Sequence, residues 1–580
     1  MVLLPLAEIV ARGVFHTGVR GSTPLVQHLT LWVAFLGSAL AARENRLLSF
    51  GTKELLQRTR WSRPVQIAAS TYSALISGLL FRAGIEFFLL EKDAGTMVTI
   101  GVPVWVAQLV IPVAFLLIGL RLAWFADPGK VGKLIALAGL IGGMVLSQYY
   151  EVLDGAPGWP VALAVLLATM AGSPIFAILG GMGALFFMLE GVQPAAVLAE
   201  AYRMSVSPTL PAIPLFTLVG FFLAESGAST RLLRFFRAFV GWFPGGTAVV
   251  TTVLCAFFTV VTGGSGVTIL ALGGLLLPAL LKDGYRERFS VGLLTGAGSL
   301  GLLFPPALPL ILYGIVAQIS IQELFIAGLV PGIVLVVLVA AWGVREGIRA
   351  KVPRQRFKPA EARAAAWEAK WELLLPVVAL GAIFSGYATL VEAATVTVAY
   401  AFVVTVFIHR DVSLTRDVPR ILVQCLAVIG GVLLILASAM GFSSWLVDAE
   451  IPSMLLDWVM ENIHSPWVFL LVLNLFLLAV GAFLDIFSAT VVTVPLIVPM
   501  AEAFGINPIH LGIIFVANLE LGYLTPPVGL NLFFASYRFD KPLLSVYRST
   551  LPILLILGVG VLIITYAPPL FALLRGTAAP

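Results

Sequence analysis

Long apolar stretches follow one another along almost the whole chain, and short loops between them carry most of the charged residues. About 20 apolar residues are enough for a helix to cross a bilayer, and the sequence has room for on the order of fifteen such passes. Only 11% of the 580 residues are charged, against roughly 25% in soluble domains. So little charge could not cover a soluble protein of this size. The sequence therefore predicts an all-α integral membrane protein with many spans.

The distribution of basic residues predicts the orientation of the first spans. The loop between the apolar runs at about 24–42 and 64–90 is strongly basic, whereas the next loop has Glu91, Lys92 and Asp93 and no positive excess. Basic loops remain in the cytoplasm, so the first loop is predicted to be cytoplasmic and the second to lie outside. The basic residues thus serve as orientation signals, and the pI near 9.2 does not indicate nucleic acid binding.

Changes in composition divide the chain into three parts. The front end has about four predicted helices, the first of them short, and a helix spanning the membrane is favoured over a surface helix at 134–150. Gly172-Ser-Pro174 is expected to split the apolar run that follows into two helices. The predicted parts are 1–130, a small membrane domain; 131–157, a connecting transmembrane helix; and 158–580, a large domain with repeat one at about 160–344, a polar cytoplasmic arm at 345–370 and repeat two at about 371–570.

An internal repeat relates the two halves of the large domain. A shift of 221 positions, without a gap, aligns glycines and prolines over about 90 residues, and a fixed offset of this kind is much stronger than any single match. The aligned pairs are Gly220 with Gly441, Pro278 with Pro499, Gly284 with Gly505, Gly301 with Gly522, and Pro305-Pro306 with Pro526-Pro527.

The charges of corresponding loops predict that the two copies have opposite orientations. The basic loop at 231–237 corresponds to an acidic one at 450–461, and the basic loop at 282–288 corresponds to 503–509, which has no Lys or Arg. In the third pair the bias is reversed, since Arg538 and Lys541 lie in the second copy. By the positive-inside rule the chain contains an inverted-topology repeat, the architecture of secondary transporters with alternating access.

Each copy has a polar interruption in an apolar stretch, at 262–268 and at 481–490. Neither interruption leads to a charged loop, so both are predicted to be re-entrant hairpins. Non-helical backbone at membrane depth is tolerated only where it lines a protein cavity. Close helix packing is the alternative for Gly273 and Gly274. The candidate binding residues are Gly263, Gly264, Ser265, Gly266 and Thr268 in the first hairpin and Asp485, Ser488 and Thr490 in the second.

Both double prolines are predicted to break a helix. In an otherwise regular helix, Pro305 and Pro526 would free the carbonyls of Gly301 and Gly522. Free carbonyls beside hydroxyls are oxygen ligands suited to Na⁺, and the broken helix would offer its positive end to an anion. A simple kink is the alternative. The candidates are Ser299, Gly301, Pro305, Pro306, Gly522, Thr525, Pro526 and Pro527, with Na⁺ expected at Ser265, Gly301, Gly522 and Thr525.

Four acidic residues lie in or beside apolar segments, where a carboxylate is costly and often functional. Asp485 is the best candidate for a charge near a site. Glu392 and Glu520 fit a structural role at broken helices equally well, and Glu225 is the fourth. Proton coupling stays open. The cysteines, Cys255 and Cys425, lie far apart in apolar stretches and predict neither a disulfide nor a metal site.

Two motifs resemble signatures of one family. The segments 298–314 (GSLGLLFPPALPLILYG) and 518–533 (NLELGYLTPPVGLNLF) are similar to the large membrane subunit of TRAP (tripartite ATP-independent periplasmic) transporters, and the likeness covers about 158–575. The front end, with LWVAFLGSALAAR at 31–43, resembles the small subunit, so the whole chain resembles a fused permease. The second motif adds Asn518 and Gly529 to the candidate site.

The resemblance implies an elevator-type importer in the bacterial inner membrane, driven by Na⁺ and without another cofactor. It implies that a periplasmic binding protein delivers a small organic anion such as a dicarboxylate or a sugar acid. Ala307 replaces a serine frequent in the family, so one hydroxyl ligand is missing there. The alternative is a stand-alone carboxylate symporter coupled to protons or sodium. A channel and an intramembrane hydrolase rank lower, the latter because no catalytic constellation stands out.

Overall fold

The computed structural model describes residues 1–49, 62–99, 101–352, 356–526 and 529–567. These ranges are almost entirely helical, and eleven of their helices are long and apolar enough to cross a membrane. One short antiparallel hairpin, β1 (Met97–Thr99) and β2 (Val102–Pro103), is the β-structure among the described residues. The prediction of an all-α membrane protein with many spans is confirmed.

The first half of the chain contains fifteen described α-helices. They are α1 Leu3–Phe15, α2 Ser22–Arg43, α3 Ser62–Ala94, α4 Val104–Gln108, α5 Val110–Phe125, α6 Lys130–Gln148, α7 Trp159–Met170, α8 Ile175–Leu189, α9 Ala195–Ser205, α10 Ala212–Ala224, α11 Ala228–Val240, α12 Gly246–Thr262, α13 Ser265–Lys282, α14 Glu287–Ala297 and α15 Leu308–Val316. A 3₁₀ turn lies at Tyr150–Leu153.

Eleven α-helices follow in the part of the second half that the structure describes. They are α16 Ile321–Arg349, α17 Pro359–Glu368, α18 Lys370–Phe384, α19 Leu390–Val403, α20 Asp417–Asp448, α21 Ile451–Asn462, α22 Pro466–Phe483, α23 Ile486–Ala503, α24 Pro508–Gly522, α25 Leu530–Phe539 and α26 Leu543–Tyr566. A short π-helix, Val404–Ile408, extends α19.

Several predicted boundaries agree with these helices. The first helix is short, with 13 residues, whereas α6 has the length and hydropathy of a span. Residues 171–174 separate α7 from α8, as the Gly-Ser-Pro sequence predicted. The polar stretch 345–370 includes the end of α16 and all of α17, and its residues 353–355 lie outside the described ranges.

Packing within the chain groups its residues into two compact units. The first comprises Met1–Pro214, Leu422–Asp457 and Val491–Pro495, and the second comprises Leu215–Ile421, Trp458–Thr490 and Leu496–Pro580. In the first unit α3 packs along α5 and α6. A Cβ atom on Gly143 would lie 1.9 Å from the carbonyl oxygen of Leu75, so a glycine is required for the α3–α6 contact.

A second glycine contact in this unit joins the front end to the large domain. Gly37 of α2 faces Gly430 of α20, and a Cβ on Gly430 would lie 2.1 Å from the carbonyl carbon of Gly37. Lipid chains are as apolar as the helices, so packing of this kind rather than water exclusion holds such helices together. The contact therefore fixes α2 against α20 by shape.

An ion pair connects the beginning of α3 to the loop before α6. The guanidinium of Arg63 donates two hydrogen bonds of 2.9 Å to the buried carboxylate of Asp127. This hydrogen bonding holds the pKa of Asp127 below its ordinary value of 3.8, with further help from the N–H groups of Gly129 and Gly132. The carboxylate is therefore favoured in its charged form in the folded protein.

Most of the repeat lies in the second unit, and its helix ends recur 221 positions apart. In the first copy α12 ends at Thr262 and in the second α22 ends at Phe483. The next helix covers 265–282 in one copy and 486–503 in the other. The helices after those begin at Glu287 and Pro508. The predicted internal repeat is thus confirmed at the level of individual helices, whereas the opposite orientation of the copies stays a prediction.

Replacing Gly430 by alanine is expected to loosen the α2–α20 contact. The new Cβ collides with the backbone of Gly37, and overpacking of this kind typically costs about 1–3 kcal/mol. Thermal unfolding in detergent can be followed with a thiol-reactive dye, because Cys255 and Cys425 are both buried. The matched control is Gly431→Ala, where a Cβ meets nothing within 4 Å. Equal melting temperatures for the two variants would contradict this packing.

Asp127→Asn is expected to lower thermal stability at pH 7. Because the pKa of Asp127 is lower in the folded than in the unfolded protein, its contribution is present above pH 3.8 and is lost as the pH falls through the lowered value. The difference in melting temperature between the variant and the natural protein should therefore shrink on acidification below 3.8. Glu151→Gln, on an exposed residue, is the control. A difference that is the same at all pH values would exclude the ion pair as its cause.

Candidate functional site

The first predicted hairpin has a two-residue break. Helix α12 ends at Thr262, Gly263 has a left-handed backbone with φ of 69°, and Gly264 is extended before α13 begins at Ser265. A side chain at Gly263 would be strained by this φ, and its Cβ would lie 2.6 Å from the side chain of Leu308. The break therefore requires glycine, and it lies directly against the first residue of α15.

The first double proline lies in a longer break. Helix α14 ends at Ala297, and residues 298–307 are non-helical until α15 begins at Leu308. The Pro305–Pro306 peptide bond is cis. The helix predicted to break at the prolines is broken here.

The carbonyls that were predicted to be free accept backbone hydrogen bonds instead. The oxygen of Gly301 accepts the N–H of Phe304 at 3.1 Å, and that of Gly522 accepts the N–H of Thr525 at 2.9 Å. The expectation of unpaired carbonyls is therefore wrong, because the chain leaves the α-helix before the prolines and forms tighter turns. A carbonyl oxygen has two lone pairs, so each retains one that could face a cation.

The two breaks of the first copy meet at Thr259. Its hydroxyl oxygen lies 2.8 Å from the carbonyl oxygen of Cys255, 2.8 Å from that of Gly298 and 2.7 Å from the hydroxyl of Thr268. Thr259 is fully buried. Its single proton can serve only one of the two carbonyls, so this cluster has more oxygens than donors. We call Thr259, Thr268 and the carbonyls of Cys255 and Gly298 the threonine cluster.

Several predicted residues surround the threonine cluster. A Cβ on Gly301 would lie 2.6 Å from the Cβ of Thr259, and one on Gly298 would lie 3.4 Å from the carbonyl oxygen of Ser265. Ser299 is buried, and its hydroxyl donates to Gly296 at 3.2 Å. The structure thus brings Ser265, Thr268 and Gly301 together, whereas the hydrogen bond of Ser299 lies within its own turn. Sequence reasoning missed Thr259, although a threonine pair three residues apart before the glycines was a usable signal.

The second hairpin breaks at Leu484 and Asp485. The carboxylate of Asp485 accepts hydrogen bonds from the N–H groups of Phe487 at 2.9 Å and Ser488 at 3.3 Å, and from the hydroxyl of Ser488 at 2.5 Å. Asp485 is therefore the N-cap of α23. The interruption is shorter than the predicted 481–490, because a capped helix can begin immediately after the aspartate. Thr490 lies within that helix and donates to Ile486.

The second double proline also meets its hairpin. Helix α24 ends at Gly522, and a Cβ there would lie 2.5 Å from the Cα of Gly481 in α22. The N–H of Gly529, just before α25, donates to Ala482 at 3.1 Å. Pro526 lies in this break, and Thr525 donates its hydroxyl to Leu521 at 3.0 Å. Pro527 lies outside the described residues.

The remaining polar residues of the prediction have separate roles. Asn518 donates to Asn474 at 2.6 Å, which joins α24 to α22 rather than lining a break. Glu392 forms a capping box with Thr389 at the start of α19, so it has the structural role left open for it. Glu225 follows the last residue of α10 and pairs with Arg420. Glu520 is buried, and its carboxylate oxygens have no hydrogen-bond partner among the described residues.

Contacts between the copies join the two sites within the second unit. A Cβ on Gly266 would lie 2.3 Å from the ring of Phe534 in α25. The amide of Asn531 donates to the carbonyl of Thr295 at 3.4 Å, and the hydroxyl of Tyr313 donates to Pro508 at 2.9 Å. Asn531 was missed from the sequence, although a buried amide in an apolar segment is a recognisable signal.

The helices that begin after the breaks present positive ends. Helices α13, α15 and α25 have no side-chain hydrogen bond at the N-cap, whereas α23 is capped by Asp485. The helix dipole favours an anion at such ends. The first copy therefore combines two positive helix ends with the threonine cluster, and the second combines one with a carboxylate.

Paired helix breaks inside an internal repeat define a helical membrane transporter. Residues 161–570 match the family described as "Tripartite ATP-independent periplasmic transporter, DctM component", and residues 1–125 match the DctQ component of the same transporters. The chain belongs to the TRAP transporter family, with regions matching both membrane components in one polypeptide, and it is a multi-pass protein of the bacterial inner membrane.

Curated relatives are permeases of the same family. The C4-dicarboxylate TRAP transporter large permease DctM of Pseudomonas aeruginosa is 38% identical over 390 residues, which cover 67% of this chain and 91% of that protein. The isethionate TRAP transporter permease DctMQ of Oleidesulfovibrio alaskensis is 32% identical over 81% of this chain and 75% of its own length. The ectoine/5-hydroxyectoine large permease UehC of Ruegeria pomeroyi is 32% identical over 67% of this chain and 88% of its own length.

The capping role of Asp485 can be separated from its charge. Asp485→Ala removes the acceptor for the N–H groups of Phe487 and Ser488, and loss of an N-cap costs about 0.5–2 kcal/mol. Asp485→Asn keeps a carbonyl acceptor in the same place, so its melting temperature should match that of the natural protein. Thermal unfolding of both variants in detergent tests this. Equal destabilisation by the two substitutions would mean that the charge, not the cap, maintains the fold here.

Proposed function

We propose that the chain is the membrane part of an importer that uses a sodium gradient to take up a small organic anion. A soluble binding protein delivers the anion at the periplasmic face. The single observation that carries the sodium part is the threonine cluster, where three oxygens lie within 2.8 Å of the hydroxyl oxygen of Thr259, whose single proton can bridge to only one of them. Hard cations such as Na⁺ are bound by oxygen ligands of this kind.

Sodium in the first copy would be held by oxygens of the two breaks. Thr259 and Thr268 supply hydroxyls, and Gly298 supplies a backbone carbonyl. Ser265 and Gly301 flank the cluster and remain candidate ligands through their carbonyls. In the second copy Gly522 and Thr525 occupy the corresponding break, and the half-buried carboxylate of Asp485 would add negative charge near a cation.

The substrate class follows from the charge of the site. The uncapped N-termini of α13, α15 and α25 favour a carboxylate or another small anion. Two of the three relatives are named for the anions C4-dicarboxylate and isethionate and the third for ectoine. A dicarboxylate is therefore the first candidate, followed by sugar acids.

Transport would proceed by an elevator motion, in which a domain that includes the breaks carries substrate across the bilayer. Sodium bound between two breaks of one copy would tie the hairpin to the broken helix, which couples the ion to the binding geometry. A transporter that binds its substrate more tightly with sodium bound than without it can use a sodium gradient to drive uptake. The front end would serve as part of the static scaffold, consistent with the contact between α2 and α20.

The test is uptake of labelled succinate, isethionate and ectoine by proteoliposomes that contain the full chain, with the binding protein from the same cells. Uptake of one of them should require both an inward sodium gradient and the binding protein. Thr259→Val should raise the half-saturating Na⁺ concentration by about tenfold, because a lost hydrogen-bonding group costs about 1–2 kcal/mol. Thr397→Val is the matched control, since Thr397 is buried and its hydroxyl donates to Ala393 of its own helix, its one hydrogen bond among the described residues.

Three outcomes would contradict the proposal in different ways. Uptake without the binding protein would favour a stand-alone symporter. Uptake that persists when the sodium gradient is collapsed, but fails when a proton gradient is collapsed, would assign the coupling to protons. An unchanged sodium dependence in Thr259→Val would remove the threonine cluster from the mechanism.

A further inference from the structure

A basic cavity lies between the end of α11 and the start of α17, apart from both helix breaks. Its volume is about 480 Å³, and its main lining residues are Arg237, Trp242, Arg356, Phe357, Lys358 and Glu361. All of them belong to the second unit. Three cations, two aromatic rings and one carboxylate thus converge on one space, and none of them has a role in the transport site.

The carboxylate of the cavity is already paired. Glu361 accepts a hydrogen bond of 2.9 Å from Arg234 on the preceding turn of α11, and this bond holds the pKa of Glu361 below its ordinary value. Arg234 also pairs with Glu368 on α17. These contacts fix α17 against α11, and the ion pair with Arg234 neutralises the negative charge of Glu361. The remaining lining charges are positive.

No cation of the cavity forms an ion pair within the part of the chain that the structure describes, although the charge of Lys358 contributes to lowering the pKa of Glu361. The Nε of Arg237 is buried and has no hydrogen-bond partner there. Neither Arg356 nor Lys358 forms an ion pair with a described residue. A buried guanidinium nitrogen without an acceptor is costly, so the cavity as it stands favours an anion.

The surrounding helix has the character of a membrane interface. Arginines recur every third residue in α11, at 231, 234 and 237, whereas Phe235 and Phe236 lie between the last two arginines and Phe239 follows them. Phe239, Trp242 and Phe357 are 40–48% exposed. A helix with basic and aromatic sides lies in the headgroup region of a bilayer, and its basic loop predicts the cytoplasmic leaflet.

We propose that this cavity binds the headgroup of an anionic phospholipid, with phosphatidylglycerol as the defined probe. The phosphate would accept hydrogen bonds from Arg237, Arg356 and Lys358, since guanidinium groups match phosphate oxygens in geometry. Trp242 and Phe357 would contact the glycerol and the beginning of the acyl chains. Basic cavities on the cytoplasmic side of membrane helices are general sites for such headgroups. The bound lipid would hold the polar arm to the membrane.

The test is titration of the purified full-length protein with dioleoylphosphatidylglycerol, with bound lipid counted by native mass spectrometry. Each neutralised cation should weaken binding by about fivefold, so R237Q/K358Q should bind about 25-fold more weakly. The matched control is K351Q/R363Q, which removes two exposed charges from the same polar region outside the cavity and should stay within about twofold. The charge-preserving R237K/K358R should keep most of the binding.

Further binding measurements distinguish a lipid from a simple anion. Phosphatidylcholine should bind much more weakly than phosphatidylglycerol, and millimolar inorganic phosphate should not displace the lipid. Equal binding of phosphatidylglycerol to R237Q/K358Q and to K351Q/R363Q would overturn the proposal, and so would displacement by inorganic phosphate alone. Each variant is first checked for an unchanged elution volume and melting temperature without lipid, and K358Q alone, at a more peripheral position, provides the comparison if the double variant unfolds.

Discussion

The need to satisfy interrupted backbone at membrane depth governs the second unit. Each broken helix exposes peptide groups that hydrocarbon would penalise by several kcal/mol. The chain meets this constraint by placing two breaks of the same copy against each other. In the first copy the hydroxyl of Thr259 reaches Gly298, and in the second the N–H of Gly529 reaches Ala482. The candidate site lies where the backbone could not remain regular.

The two copies stabilise their corresponding helix breaks with different residues. The break at Gly263 and Gly264 depends on a left-handed glycine and a neighbouring group of threonines. The corresponding break, 221 positions later, depends on Asp485, which caps the next helix and brings a negative charge. A repeat that is symmetric in its helix ends is therefore asymmetric in its electrostatics. The proposed binding of a cation and an anion in one unit would use this asymmetry.

Some of the site could be predicted from the sequence and some could not. The fixed offset located both breaks, because helix ends depend on local Gly, Pro and capping residues. The freed carbonyls of Gly301 and Gly522 were predicted wrongly, because a regular helix was assumed up to the prolines and the chain instead turned earlier. Thr259 was missed since its neighbours come from three separate segments. Glu225 was suspected because it is an acid beside an apolar segment, and its pairing could not be foreseen because its partner, Arg420, is 195 residues away.

By itself the sequence determined that the chain is a helical membrane protein with an internal repeat, because hydropathy, loop charge and glycine–proline spacing are local properties that the bilayer selects directly. The TRAP family motifs could also be read from it. Only the tertiary structure decided which oxygens meet at the threonine cluster and that Asn518 joins helices instead of lining a break. It alone placed Arg237 beside Arg356 and Lys358. Such contacts depend on how distant helices pack, and packing is set by shape complementarity that no single segment encodes.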